Sequence, residues 1–143
     1  MIRVLVNGAL GRMGTEVCNT VMAQKDMDLS GVVDINGADK TIPYYDGGVF
    51  GVDTDLENAI TCTRPDVVVD FTRPDVVMGN LRKIISMGVN AVVGTTGFTK
   101  ENLEEIDKLA SEKGVGVLIA PNFALGAVVM IKLACEAAKY FPN

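Results

Sequence analysis

Short apolar runs alternate along the chain with segments whose apolar residues recur at helical spacing. The runs are rich in β-branched residues, which is typical of parallel strands buried on both faces; they cover residues 2–6, 29–33, 67–69 with Phe71, 91–93 and 115–119. The helical segments between them carry apolar residues over 13–21, 77–85 and 103–110. This alternation predicts an α/β fold, a Rossmann-like doubly wound parallel sheet in three αβα layers.

Residues that begin and end helices support these boundaries. Pro74 suits a first helical turn, Thr99 suits an N-cap, and Gly88 and Gly114 lie where helices should stop. The segment 36–53 is rich in Gly, Asp and Tyr. It predicts a long surface loop with at most one short strand, followed by a helix near residues 56–60.

The last segment, residues 125–141, is apolar around much of its helical circumference. Helices of this kind usually pack on two sides. We therefore expect this helix to contact either a continuation of the chain or another subunit.

Composition narrows the possible functions. A net charge of -5 at pH 7 offers no basic face for nucleic acid or an anionic membrane, although backbone N–H groups can still hold a single anionic ligand. Three widely spaced cysteines predict neither disulfides nor a thiolate metal site, and they fit a reducing cytoplasm. The first strand-like run starts at Ile2 and no apolar run approaches the length of a membrane span, so we expect a soluble protein without a signal peptide. Histidine is absent, so proton transfer must use Lys, Tyr, Cys, a carboxylate or water.

A glycine motif follows the first predicted strand. Gly8 allows a tight turn, Gly11 lets the backbone approach a pyrophosphate, and Gly14 lets helix and strand pack closely. The helix that begins here presents free N–H groups and a partial positive charge to phosphates, and Arg12 is long enough to reach them. A plain strand-to-helix turn is the alternative interpretation.

Asp34 ends the second strand about 20 residues after Gly14, where a carboxylate commonly binds the adenosine ribose. Its charge would repel a 2′-phosphate, and Ile35 and Asn36 follow instead of Arg. NAD is therefore favoured over NADP, while Lys40 weakens that preference. The alternative is an Asp that simply starts the loop.

Small and hydroxyl-bearing residues follow the later strands. In an open parallel sheet, ligands bind outside the carboxyl ends of the strands, so these turns are candidates for the same site. The turns contain Phe71, Thr72 and Arg73; Gly94, Thr95 and Thr96; and Ala120, Pro121, Asn122 and Phe123. Each turn has an alternative interpretation when taken singly. The turn at residues 94–96 could equally be a loop that ends at the helix cap Thr99, and Phe123 could equally be an aromatic residue of the core.

Four ordered motifs resemble the N-terminal part of the dihydrodipicolinate (4-hydroxy-tetrahydrodipicolinate) reductase family. They are Val6-Asn7-Gly8 to Gly14, Asp70-Phe71-Thr72-Arg73-Pro74, Gly94-Thr95-Thr96-Gly97-Phe98 and Ala120-Pro121-Asn122-Phe123-Ala124-Leu125-Gly126. The resemblance runs essentially from end to end of the chain. It implies an NADH- or NADPH-dependent reductase of the diaminopimelate route to lysine, usually a homotetramer.

The resemblance also assigns roles to the candidate residues. It implies that Gly8, Ala9, Leu10, Gly11, Arg12 and Met13 hold the pyrophosphate, that Asp34 holds the ribose, and that Arg73 lies near the adenine. The nicotinamide half would lie against residues 94–96 and 120–123. Ile35 stands where some members have Arg, which weakens the expectation of tight NADP binding.

The family continues into a second domain, and by this resemblance residues 1–125 form the dinucleotide-binding domain and residues 126–143 a helix leading toward the next one. The family's proton donor lies in a His-rich motif of that second domain, so no catalytic residue is assigned here. We expect the chain to bind NAD(H), with NADP(H) as the alternative, and to show little reductase activity alone. Two other hypotheses are a non-catalytic nucleotide-binding module and a related enzyme such as homoserine or diaminopimelate dehydrogenase.

Overall fold

The computed structural model describes residues 1–44, 47–120 and 123–141. Its strands are β1 (Ile2–Asn7), β2 (Met27–Val33), β3 (Thr41–Pro43), β4 (Val49–Gly51), β5 (Val67–Asp70), β6 (Asn90–Val93) and β7 (Val117–Ile119). Its helices are α1 (Arg12–Ala23), α2 (Leu56–Thr63), α3 (Val77–Ser86), α4 (Lys100–Lys113) and α5 (Leu125–Ala138). Five strands form one parallel sheet in the order β2-β1-β5-β6-β7, with helices between them, which confirms the predicted Rossmann-like α/β fold.

The sheet has a hydrophobic core on each face. On one side, α1 packs through Cys18 and Val21 against Val4, Val6 and neighbouring strand residues. On the other side, α2, α3 and α4 cover a second cluster; its fully buried members include Leu5, Val68, Leu81 and Ile84. Both faces of the central strands are therefore apolar, because β-strand side chains alternate between the faces.

The helix boundaries follow local rules that the sequence displays. Thr99 caps α4: its hydroxyl accepts a hydrogen bond from the Asn102 N–H at 3.2 Å, and the Asn102 side chain accepts from the Thr99 N–H. Gly114 ends this helix with φ 66°, and Gly88 follows the end of α3 with φ 74°. Pro74 lies in the turn before α3 instead of in its first turn, since α3 begins at Val77.

Two expectations about strands need correction. The 36–53 segment contains two short strands, not at most one: β3 and β4 pair as an antiparallel hairpin, with Ile42 opposite Phe50. This hairpin forms because Ile42 is buried in the core on the α1 side of the sheet, a tertiary contact that local sequence does not reveal. In addition, β7 is not buried on both faces. It is an edge strand, and Leu118 in its centre is 57 % exposed.

Helix α5 lies outside both cores. None of its residues is buried, and it exposes Leu125, Met130, Ile131 and Leu133 among other large apolar residues. The expected packing on two sides is therefore not made within the described part of this chain.

The carboxyl ends of the five parallel strands lie in register. Asn7 of β1 pairs with Val33 of β2 and with Asp70 of β5, Asp70 pairs with Val93 of β6, and Val93 pairs with Ile119 of β7. The chain reverses its direction of winding between β1 and β5. This rim, defined by those five terminal residues, is where open α/β sheets form a ligand crevice.

Candidate functional site

Each predicted binding segment begins at the residue after the rim. Gly8, Asp34, Phe71, Gly94 and Ala120 directly follow the five aligned strand ends. The structure therefore brings these five turns to one edge of the sheet.

The turn after β1 is built on glycines that larger residues would disrupt. Gly8 adopts φ 81°, and a Cβ there would lie 2.9 Å from the carbonyl oxygen of Phe71. A Cβ on Gly14 would overlap the carbonyl oxygen of Gly8 and lie 2.8 Å from the Ala9 Cα. The N–H groups of Gly8 and Ala9 both donate to the Val33 carbonyl, at 2.9 and 3.1 Å. Sequence analysis assigned Gly14 to close helix packing, and this geometry agrees.

Helix α1 starts at the rim without a side-chain cap. Its N-cap is Gly11, and among the described residues no side chain caps the first turn. A helix leaves its first N–H groups without intrahelical partners, and these groups carry a partial positive charge. Arg12 and Met13 are exposed beside them. The turn therefore has the geometry and charge that phosphates require.

Asp34 lies next to that turn. One of its carboxylate oxygens, Oδ2, accepts a hydrogen bond from the Leu10 N–H at 3.1 Å, and the other, Oδ1, accepts from the Asn36 N–H at 2.9 Å. Each oxygen of an ionised carboxylate can accept about two hydrogen bonds, so both retain capacity for hydroxyl donors. Ile35 is 78 % exposed and provides no cation near this carboxylate.

The turn after β5 contributes one aromatic ring, one hydroxyl and one cation. The Phe71 N–H donates to the Asn7 carbonyl at 3.0 Å, which continues the β1–β5 pairing into the turn. The Thr72 side chain points inward to Asp70, as described below. Arg73 forms an exposed ion pair with Asp75 at 2.8 Å, and its side chain is 76 % exposed.

The turn after β6 packs against the turn after β5. A Cβ on Gly94 would overlap the Phe71 ring, so any larger residue at this position would force the ring to move. The Thr95 hydroxyl is buried and donates to the Thr72 carbonyl at 2.9 Å, whereas Thr96 is exposed.

The turn after β7 contacts the end of β6 and the turn after β5. The Ala120 N–H donates to the Val93 carbonyl at 3.0 Å, and the Phe123 ring lies 5.3 Å from the Phe71 ring, centroid to centroid. Pro121 and Asn122, which complete this predicted segment, lie outside the described residues.

Sequence analysis missed a buried polar network below these turns. Asp70 is completely buried, and its carboxylate accepts hydrogen bonds from the side chains of Asn7, Thr72 and Asn80. The available signal was an Asp and an Asn that each end an otherwise apolar strand. Asn80, within the amphipathic helix α3, gave no signal in a single sequence.

Among the described residues, no group of His, Cys, Asp and Glu is arranged to hold a metal ion. Helices long and apolar enough to cross a membrane are also absent from that part of the chain. The polar groups of the turns at the rim are hydroxyls, amides, backbone N–H groups, the guanidinium groups of Arg12 and Arg73, and the carboxylates of Asp34, which is partly exposed, and Asp70, which is buried.

Comparison with known families supplies the decisive observation. Residues 2–123 match the family described as "Dihydrodipicolinate reductase, N-terminus". The chain belongs to this family. The motifs that suggested the resemblance all lie within or directly beyond the matched range.

Individual relatives agree with the family assignment. The 4-hydroxy-tetrahydrodipicolinate reductase of Listeria monocytogenes serotype 4b (strain CLIP80459) is 47 % identical over 148 residues, an alignment covering 99 % of this chain and 55 % of the relative. A structure titled as dipicolinate-bound dihydrodipicolinate reductase from Paenisporosarcina sp. TG-14 matches with a TM-score of 0.83 and 38 % identity. That match covers 100 % of this chain and 56 % of the other. The chain thus spans about half the length of the reductases it matches.

A more distant structure shares the fold alone. GenD2 from gentamicin A biosynthesis, solved in complex with NAD, matches with a TM-score of 0.70 and 22 % identity, over 85 % of this chain and 35 % of GenD2. The Rossmann-like fold of this chain is therefore shared with that structure.

Proposed function

We propose that residues 1–125 bind NAD(H) across the rim and that the segment 126–143, which contains most of α5, leads toward a second domain. The observation that carries this proposal is the alignment of five strand ends, each followed by one of the predicted turns. The pyrophosphate would lie at the uncapped start of α1, held by the main chain of residues 8–13.

The rest of the dinucleotide follows from that placement. Asp34 would accept hydrogen bonds from the adenosine ribose. Arg73 would lie near the adenine. The nicotinamide half would extend over the turn that contains Gly94, Thr95 and Thr96 and over residues 120–123, with Phe71 and Thr72 beside that turn. NADP(H) is the less favoured cofactor, because its 2′-phosphate would face the Asp34 carboxylate with Ile35 beside it.

The reaction we propose is that of the family: reduction of 4-hydroxy-tetrahydrodipicolinate in lysine biosynthesis, by a homotetrameric enzyme. NADH supplies hydride in such a reduction. This chain's residues would bind and orient the cofactor. The proton that accompanies hydride transfer needs a donor effective near neutral pH, and this chain contains no histidine. On the family resemblance, which the missing histidine fits, we place the proton donor in a second domain outside these 143 residues.

Fluorescence titration with NADH tests the binding proposal. We expect saturable binding with a Kd of roughly 1 to 100 µM, a range typical of cofactor and substrate sites. A matched variant is Gly11→Leu: a Cβ at Gly11 meets only the Gly8 oxygen, at 3.3 Å, so the fold should persist while the side chain blocks the pyrophosphate. Binding by Gly11→Leu equal to that of the wild-type chain, or no binding by the folded wild-type chain, would contradict the proposal.

Turnover is tested separately by following NADH oxidation with the dicarboxylate substrate present. We expect a rate far below the roughly 10 per second that is ordinary for enzymes. A rate near that figure would show that the proton donor lies within this chain. Binding without turnover, in a native reading frame that ends at Asn143, would instead favour a non-catalytic nucleotide-binding module.

A further inference from the structure

Asp70 is the centre of a hydrogen-bond network buried directly beneath the rim. Its Oδ1 accepts from the Thr72 N–H at 2.9 Å and from the Thr72 hydroxyl at 2.6 Å. Its Oδ2 accepts from the Nδ2 groups of Asn7 at 2.8 Å and Asn80 at 3.0 Å. Asn80 Nδ2 also donates to the Thr72 hydroxyl oxygen at 3.1 Å.

This arrangement uses the carboxylate fully. Asp70 is 0 % exposed, and four donors converge on its two oxygens. Removing a carboxylate from water is costly, and a well-packed apolar residue is often equally stabilising at such a position. Stability of the core alone therefore gives no reason for an aspartate here. A network of this kind does fix the positions of the groups that it joins.

The groups that the network joins lie on one side of the rim. Thr72 is held by three of the hydrogen bonds, and its carbonyl in turn accepts from the buried Thr95 hydroxyl at 2.9 Å. The Phe71 ring, one residue before Thr72, lies against Gly94. The network thus ties the turn after β5 to the turn after β6. Asp34 lies outside this network, because its carboxylate accepts hydrogen bonds from the N–H groups of Leu10 and Asn36 on the β1–β2 side.

We infer that Asp70 is a positioning residue for the nicotinamide half of the dinucleotide, acting through Thr72 and Thr95 without touching the cofactor. The inference rests on the proposed dinucleotide function. If Asp34 binds the adenosine ribose at β2 and α1 binds the pyrophosphate at β1, the remaining half must extend over β5 and β6. Those are the turns that Asp70 holds.

The test compares NADH with ADP-ribose, which keeps the adenosine, the pyrophosphate and the second ribose but lacks nicotinamide. Both are titrated by calorimetry against the wild-type chain and two variants, Asp70→Asn and Asn80→Ala. Asp70→Asn keeps the shape of the side chain but replaces one acceptor oxygen with an NH2 group, which faces the donors of Asn7, Thr72 and Asn80 without an acceptor. Asn80→Ala removes one donor from a half-exposed helix position, so it remains informative if Asp70→Asn fails to fold.

In both variants we expect the Kd for NADH to rise about tenfold toward that for ADP-ribose, while the Kd for ADP-ribose changes less than about threefold. The emission change of NADH on binding should shrink in parallel. Asn102→Ala, an amide loss on α4 outside the network, should leave both Kd values unchanged. Asp34→Asn should weaken both ligands by the same factor.

If Asp70 had a merely structural role, the substitutions would lower the free energy of unfolding but leave the ratio of the two Kd values as in the wild-type chain. That unchanged ratio, measured in folded Asp70→Asn or Asn80→Ala, would overturn the inference while the proposed function stood. Failure of the wild-type chain to bind either ligand would refute the proposed function and the inference with it.

Discussion

Gly14 offers the most direct test of how the turn after β1 is packed. Replacement by Ala adds one Cβ, which would overlap the carbonyl oxygen of Gly8 and lie 2.7 Å from the Gly8 carbonyl carbon. All the nearest atoms belong to the backbone, so no side chain can rotate away. Gly8 itself cannot move freely, because its N–H is bonded to Val33 and its Cα faces the Phe71 carbonyl.

The expected cost follows from what must move. Restoring an ordinary contact distance requires α1 and the turn to separate by roughly 1 Å, an overpacking strain worth about 1 to 3 kcal/mol. That shift would weaken the two hydrogen bonds from Gly8 and Ala9 to Val33, each worth about 1 kcal/mol. The better helix propensity of Ala returns about 1 kcal/mol. We expect a net loss of about 2 to 4 kcal/mol in the free energy of unfolding.

Gly79 provides the matched control. It is the third residue of α3, is exposed, and a Cβ there would meet none of the described residues within 4 Å. Gly79→Ala should therefore raise the free energy of unfolding by up to about 1 kcal/mol. Urea unfolding followed by circular dichroism measures both variants. The packing argument is refuted if Gly14→Ala is as stable as the wild-type chain, or if both variants are destabilised equally.

Two further predictions concern charge. Asp34→Asn removes the charge that would face a 2′-phosphate, so the ratio of Kd for NADPH to Kd for NADH should fall by roughly tenfold; an unchanged ratio would exclude Asp34 as the discriminating group. Burial raises the pKa of the Cys18 thiol from 9.0 to about 11. The unfolded chain therefore releases this proton first, so the stability advantage of wild type over Cys18→Ala is complete below pH 9 and declines as the pH rises toward 11. Urea unfolding at pH 8 and 10.5 measures this difference, and a constant value would contradict it.

The sheet, and the meeting of the candidate turns at its rim, were readable from the sequence because both depend on local patterns. Strands buried on two faces appear as uninterrupted apolar runs, and the residue after each run must lie at the rim. Thr99 and Gly114 marked the ends of α4 because capping is a local interaction.

The features that were wrong or missed depend on contacts between distant residues. The β3–β4 hairpin consists of three-residue strands whose pairing is supported by burial of Ile42 in the sheet core. The exposure of β7 depends on its place at the edge of the sheet, which the sequence of the strand does not encode. The Asn7–Asp70 hydrogen bond joins residues 63 positions apart.

The pairing of β1 with β5 also constrains the order in which the molecule can fold. These neighbours are separated in the chain by α1, β2, the hairpin and α2, so bringing them together closes a long loop at an entropic cost. Until that closure occurs, Gly8 has no Phe71 carbonyl beside it and the crevice has only one wall. A dinucleotide bound as we propose would therefore bind only chains that have completed this step, and its binding energy would stabilise the finished sheet over any partly assembled one.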